Sequence, residues 1–132
     1  MNLSAFVLDD DIFYANLVAE MLSIEGLVVH CSNNPEEVNI KMLECFDILV
    51  LDMLMPHLDG FSIIEMISAL KKQPELILIS GADKKELNYA ARWARKNNLK
   101  ILGYLEKPFK KSDLMALINS SKNQALQNTC QI

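Results

Sequence analysis

The stretch FDILVLD, residues 46–52, is an apolar run broken only by Asp47 and ending in the carboxylate of Asp52. It is too short for a free-standing helix and has no polar face. Such a run fits a strand covered on both sides, as in a parallel sheet. Working outward, similar short runs recur at Leu3–Leu8, Leu27–Cys31, Leu76–Ile79 and Lys100–Leu105. Between them lie segments with helical spacing. Ile12–Ile24 carries Ile12, Leu17, Val18, Met21 and Leu22 as its stripe, and Gly26 stands where a helix C-terminus takes glycine. Pro35–Leu43 is predicted as a short second helix that opens on proline. Phe61–Leu70 is the third, Lys84–Asn97 the fourth, and Ser112–Ser120 the fifth with Ser112 as its N-cap. Strict alternation of five strand–helix units implies an α/β, doubly wound three-layer sandwich around a five-stranded parallel sheet.

The chain has 132 residues, of which 51% are hydrophobic, which suits one domain with a real core. Residues 1–120 are expected to form that domain, and the polar segment 121–132 a C-terminal tail or the start of a linker. The net charge of −4 gives no basic footprint, so no nucleic-acid partner and no membrane surface are expected. Asp9, Asp10 and Asp11 interrupt the N-terminus at once, so no signal peptide is expected, and no apolar run approaches a membrane span. Cys31, Cys45 and Cys130 are odd in number and match no metal-binding spacing, and His30 and His57 add no zinc pattern. Reduced thiols in a cytoplasmic protein are the simplest reading.

In an open parallel sheet, ligands bind beyond the carboxyl ends of the strands. Those ends carry Asp9 and Asp10 after the first strand, Asp52 on the third, Ser80 on the fourth, and Lys107 after the fifth. If the first and third strands are neighbours, three carboxylates converge. That is unfavourable unless a cation joins them. Oxygen ligands without His or Cys favour a hard cation, Mg²⁺ above all. Three carboxylates, one ammonium and a divalent cation balance to neutrality, which leaves Asp52 able to accept a phosphoryl group. Ser80 and Lys107 can hold phosphoryl oxygens, so the chemistry is phosphoryl transfer by positioning, with a carboxylate nucleophile. Asp11 reads as a helix cap or first-turn residue, His57 as a loop residue, Asp59-Gly60 as turn chemistry, and the seven Met as core filler.

FVLDDD at 6–11, LVLDMLMPHLDG at 49–60, LILISG at 76–81 and GYLEKPF at 103–109 resemble, in order, the four signatures of the response regulator receiver family of two-component systems, also called CheY-like. The resemblance implies a flavodoxin-like sheet of order 2-1-3-4-5. It implies that Asp52 is the phosphoacceptor, assisted by Ser80 and Lys107. Asp10 resembles the direct Mg²⁺ ligand, Asp9 its partner acting through water, and Leu54 the donor of a backbone carbonyl to the metal. Tyr104 matches the rotameric aromatic switch, and Lys107-Pro108 the family's cis peptide. Implied partners are a histidine kinase or phosphotransfer protein as phosphodonor. An output domain, an output protein or a second copy of the chain would meet the face of the fourth helix, fifth strand and fifth helix. The domain assists its own phosphotransfer and is not an enzyme acting on other substrates.

Twenty-seven positions separate Ser80 from Lys107, more than in the commonest receivers, and the excess falls in the fourth helix and the loop after it. The run from Ile79 to Phe109 also resembles receivers joined to EAL-type cyclic-di-GMP phosphodiesterase domains. Tyr89 and Trp93, four apart on the fourth helix, read either as a partner surface or as cover for the helix edge. Two other functions compete. A degenerate receiver would bind partners without phosphorylation, but the full set Asp9, Asp10, Asp52, Ser80 and Lys107 argues against it. A haloacid-dehalogenase-type phosphatase wants an Asp two residues after its nucleophile, where this chain has Leu54.

Overall fold

The computed structural model describes residues 3–55, 60–81 and 84–121. The expectations for Pro56, His57, Asp59, Cys130 and the tail from residue 122 lie outside them. Five strands follow in chain order: β1 (Ser4–Leu8), β2 (Val28–Ser32), β3 (Ile48–Asp52), β4 (Glu75–Ser80) and β5 (Ile101–Glu106). All pairs are parallel, in the order β2-β1-β3-β4-β5. Among the described residues there are four α-helices: α1 (Ile12–Ile24), α2 (Gly60–Ser68) and α3 (Lys84–Lys96), which each connect two strands, and α4 (Lys111–Ile118), which follows β5.

Successive residues of a strand point to opposite faces, and both faces of this sheet are covered. Phe6, Leu8, Leu49, Leu51, Leu76 and Leu78 face the core under α2 and α3. Ala5, Val7, Ile48, Val50, Ile77 and Ile79 face the core under α1 and α4. This is why β3 and β4 read as unbroken apolar runs: every one of their residues is buried. The edge strand β2 is different, with three of five residues exposed, Val28 among them.

The predicted second helix is not an α-helix. Two 3₁₀ turns, Pro35–Glu37 and Ile40–Cys45, replace it, with Val38 extended between them. Asn34 and Asn39 each accept a hydrogen bond from the backbone N–H two residues on, both at 3.0 Å. Asn side chains of this kind start new turns and compete with helix propagation. The predicted fourth and fifth helices are therefore α3 and α4.

The predicted stripe of α1 also needs correction. Ala15, Val18 and Leu22 are the buried line, whereas Ile12 and Leu17 are 41% and 44% exposed. Hydropathy alone could not choose between two apolar faces of one helix. The stripe Leu87, Ala90, Ala91 and Ala94 on α3 is buried as expected. The last helix begins at Lys111 rather than after Ser112. Its N-terminus is closed by the Lys110 N–H donating to the Asp113 carboxylate at 3.1 Å.

Helix ends set where strands begin. Gly26 has φ +93°, and the N–H groups of Gly26 and Leu27 donate to Ser23 and Leu22 carbonyls at 3.0 and 3.2 Å. This is a Schellman closure. Asn98, with φ 64°, closes α3 in the same way: the N–H groups of Asn98 and Leu99 donate to the Arg95 and Ala94 carbonyls, both at 3.1 Å. Ser121 is buried and donates to Glu75 at 2.6 Å, so the folded body reaches at least this residue.

At Gly103 in β5 an added Cβ would lie 2.6 Å from a Leu117 methyl of α4. Gly103→Ala should lower stability by about 1 kcal/mol through overpacking. Adding Leu117→Ala should remove that increment, as urea denaturation of the two single variants and the pair would show. A Gly103→Ala protein as stable as its parent would mean that α4 gives way freely.

Candidate functional site

The sheet register brings the acidic residues together. Leu8 stands opposite Leu51, so the next residues, Asp9 and Asp52, leave the rim side by side. Asp9 and Asp52 are buried and Asp10 is exposed, and one carboxylate oxygen from each lies within 4.8 Å of the others. Asp11 is not in this group. It caps α1, accepting from the N–H groups of Phe13 and Tyr14 at 3.0 and 3.2 Å.

Backbone bonds hold the rim. Asp9 N–H donates to Ser32, Met53 N–H to Ile79, and Lys107 N–H to Ser80 at 2.8 Å. Asp9 accepts from the Asp11 N–H at 3.0 Å, and Asp52 from the Leu54 N–H at 3.1 Å. Ser80 is buried at the end of β4, and Leu54 is 55% exposed beside the acidic group. Lys107 lies in a cis Lys107-Pro108 linkage, as expected. Its ammonium is 2.7 Å from Asp9 Oδ2 and 3.6 Å from Asp52 Oδ2. Tyr104 stands apart from this group, opposite Leu78 on β5, half-buried against the core under α3. Beside the rim, Met53, Leu54, Phe61, Ser80, Leu87 and Tyr89 line a cavity of about 400 Å³.

Burying Asp52 this close to a second carboxylate perturbs it. Burial, then the charge of Asp9 and a hydrogen bond with it, push the Asp52 carboxyl from 3.8 up to about 8. The Leu54 N–H and the Lys107 ammonium pull it back only in part. Burial alone would lower the Lys107 pKa, but Asp9 and Asp52 outweigh it, and the ammonium is held above its ordinary value. One cation is thus shared by two carboxylates. A set of oxygen donors with excess negative charge is the chemistry of a hard divalent cation site.

One neighbour was missed by the sequence reading. Tyr14, on α1, places its ring 4.6 Å from the Lys107 ammonium. Nothing local marks it, because the contact joins α1 to the turn after β5.

The described residues contain no helix long and apolar enough to cross a membrane. Residues 5–119 match the family described as the response regulator receiver domain. A probable transcriptional regulator, ycf29 of Pyropia yezoensis, is 28% identical across 98% of this chain and 60% of its own length. The transcriptional regulatory protein CpxR homolog of Haemophilus influenzae is 30% identical over 58% of this chain and 34% of its own. The chain therefore spans from about a third to three-fifths of the length of these relatives. Among solved structures, a response regulator receiver domain protein from Clostridium thermocellum has TM-score 0.78 and 24% identity, covering 95% of this chain and 98% of its own. A response regulator from Colwellia psychrerythraea has TM-score 0.71 and 26% identity, with 94% and 99% covered.

The raised Asp52 pKa has a stability consequence. Between the unfolded value of 3.8 and about 8, the folded protein holds a proton that the unfolded chain releases. This contribution is present at acid pH and is lost as pH rises through about 8. Without divalent cations, the parent Tm should fall from about pH 5 to about pH 8 by at least ~4 °C more than that of Asp52→Asn. Parallel Tm–pH curves for the two proteins would remove the basis for the repulsion.

Proposed function

The chain belongs to the response regulator receiver domain family, and from that membership we propose that Asp52 is its phosphoacceptor. As a receiver domain it is a regulatory module of two-component signalling. The observation that carries the assignment is the convergence of Asp9, Asp10 and Asp52 within 4.8 Å beside a shared lysine. In this reading Asp10 and Asp52, with the Leu54 carbonyl, hold Mg²⁺ directly, and Asp9 assists. The donor set fits that ion, which when bound neutralises carboxylate and phosphoryl charge.

The protein's own groups do the remaining work. The Asp52 carboxylate attacks phosphorus in line with the bond to the donor's leaving group. That attack needs the ionised carboxylate, which the cation and Lys107 favour and Asp9 opposes. Ser80 donates its hydroxyl to one phosphoryl oxygen and the Lys107 ammonium pairs with another. These charge-assisted bonds exist only in the phosphorylated state, so they bias the domain toward whichever conformation lets both groups reach inward. The cavity beside Ser80 gives its loop room, and Tyr104 follows as the switch residue.

The expected output side is the surface of α3, β5 and α4. The chain's charge is segregated toward it. Residues 1–65 carry twelve acidic and one basic side chain, whereas residues 66–132 carry five acidic and twelve basic. Lys85, Tyr89, Arg92 and Lys96 are exposed on α3, a face available to an output domain, an output protein or a second copy. Trp93 and Tyr89 also cover Phe61 of α2, with ring centroids 5.4 and 6.0 Å away. These contacts support the reading of the pair as cover for the helix edge, and the partner surface remains part of this proposal. The phosphodonor is a histidine kinase or a phosphotransfer protein, and the setting is the cytoplasm. The receiver takes in residues up to at least Ser121, which is buried against Glu75, and the polar segment after it is a tail or the start of a linker. An EAL-type neighbour rests on sequence resemblance alone; the relatives named above are transcriptional regulators.

Treating the protein with acetyl phosphate and Mg²⁺ should add one phosphoryl group by intact mass, and Asp52→Asn should abolish the gain. Full labelling of Asp52→Asn would sink the assignment. For the metal, Asp10→Ala should weaken Mg²⁺ at least tenfold in a Trp93 fluorescence titration. Asp11→Ala should change it less than twofold, while lowering stability by about 1 kcal/mol through the lost cap. The opposite ranking would place the ligands one residue later.

A further inference from the structure

We propose that Tyr14 is a positioning residue for Lys107: its ring face backs the ammonium and holds it over the acidic site when Asp9 is engaged by the cation. The inference rests on the phosphoacceptor reading of Asp52.

Lysine is a poor fixed contact by itself. Its ammonium sits on a flexible four-carbon stem and is strongly hydrated, so a lysine on a turn tends to point into water. Lys107 does not: its side chain is 16% exposed. Three groups surround its nitrogen, at 2.7 Å (Asp9), 3.6 Å (Asp52) and 4.6 Å to the Tyr14 ring centroid. The ring distance is well inside the range in which the negative face of an aromatic attracts a cation.

The ring is itself held. The Tyr14 N–H is tied to the Asp11 cap at 3.2 Å, which fixes the first turn of α1. The ring edge meets Phe109 at 5.7 Å and 71°, an edge-to-face contact. Phe109 lies two residues after Lys107. The same short turn therefore presents the ammonium and an aromatic edge to one tyrosine ring, coupling α1 to the turn that carries the lysine.

The value of this contact lies in what the carboxylates cannot supply. Asp9 is both the shortest partner of Lys107 and a member of the cation cluster. A carboxylate turned toward a divalent ion has less charge left for the ammonium. The ring has no ligand role to be drawn away to. It therefore keeps Lys107 aimed at Asp52 in the cation-loaded protein, and phosphoryl oxygens meet an ammonium already in place.

The test uses beryllofluoride as the phosphoryl probe, with saturating Mg²⁺ and Trp93 fluorescence or NMR shifts as readout. Tyr14→Leu should weaken beryllofluoride about fivefold, the change that ~1 kcal/mol of cation–π energy gives. Mg²⁺ affinity should stay within twofold, and Tyr14→Phe, which keeps the ring, should match the parent. In a Lys107→Ala background, Tyr14→Leu should add nothing further, because the contact has lost its cation. Should Tyr14→Leu fold poorly, pentafluorophenylalanine at position 14 keeps the shape while reversing the ring's charge distribution, and should weaken the probe as leucine does. Parent-like affinity in either ring-free or ring-reversed protein overturns the proposal. So does a Tyr14→Phe loss equal to that of leucine, or a persisting leucine effect without Lys107. A parent that binds beryllofluoride no better than Asp52→Asn overturns the phosphoacceptor reading and this one together. A parent that does discriminate, with a Tyr14→Leu protein equal to it, overturns this one alone.

Discussion

Two buried carboxylates, Asp9 and Asp52, leave adjacent parallel strands side by side, and one lysine stands between them. The rest of the molecule can be understood as what is required to hold that unfavourable pair in place. In water two carboxylates would separate. Here they cannot, because each is the direct continuation of a strand fixed in the sheet. The ladder bonds and the two cores decide their spacing, and local electrostatics must accept it. The raised Asp52 pKa records its burial first and then the repulsion from Asp9. Lys107 relieves part of it. A divalent cation has the charge and the ligand preference to relieve the remainder.

That constraint explains why the centre of the sheet is so apolar and regular. A one-residue slip between β1 and β3 would move every side chain of the slipped strand from one core to the other and would also separate the acids. Full burial of β3 and β4 on both faces makes such a slip costly. The edges are under less demand. β2 is largely exposed, and the connection before β3 breaks into two 3₁₀ turns with no effect on the rim. Where α3 must lie close to β5, Asn98 supplies the left-handed residue that ends the helix in time.

Features carried by pattern along the chain were legible in the sequence. The five strands, the three carboxylates, Ser80, Lys107, the Asp11 cap and the Gly26 closure each follow from residue type and position. Features that depend on contacts between distant segments were not. Pro35 and the apolar spacing after it suggested a helix, but two Asn side chains divide it. On α1 both faces are apolar, and only the packed structure shows that Ala15, Val18 and Leu22 are inside while Leu17 is not. Tyr14 looked like an ordinary helix residue because its meaning lies in Lys107, ninety-three positions away. The net charge of −4 likewise hid an acidic first half and a basic second half, since a sum discards position.

A site under this tension is also suited to switching. Ser80 and Lys107 end adjacent strands and are joined by a 2.8 Å backbone bond, so neither loop moves independently of the other. In the resting arrangement Lys107 is pulled chiefly to Asp9, its nearer partner. A negative group added at Asp52 would compete for the same ammonium from the other side. Because the strands beneath are fixed, the change must be taken up above the rim, in the loops after β4 and β5. Those loops lead directly into α3 and α4. On the proposed reading, displacement that the rigid sheet resists would be passed to the helices that follow it.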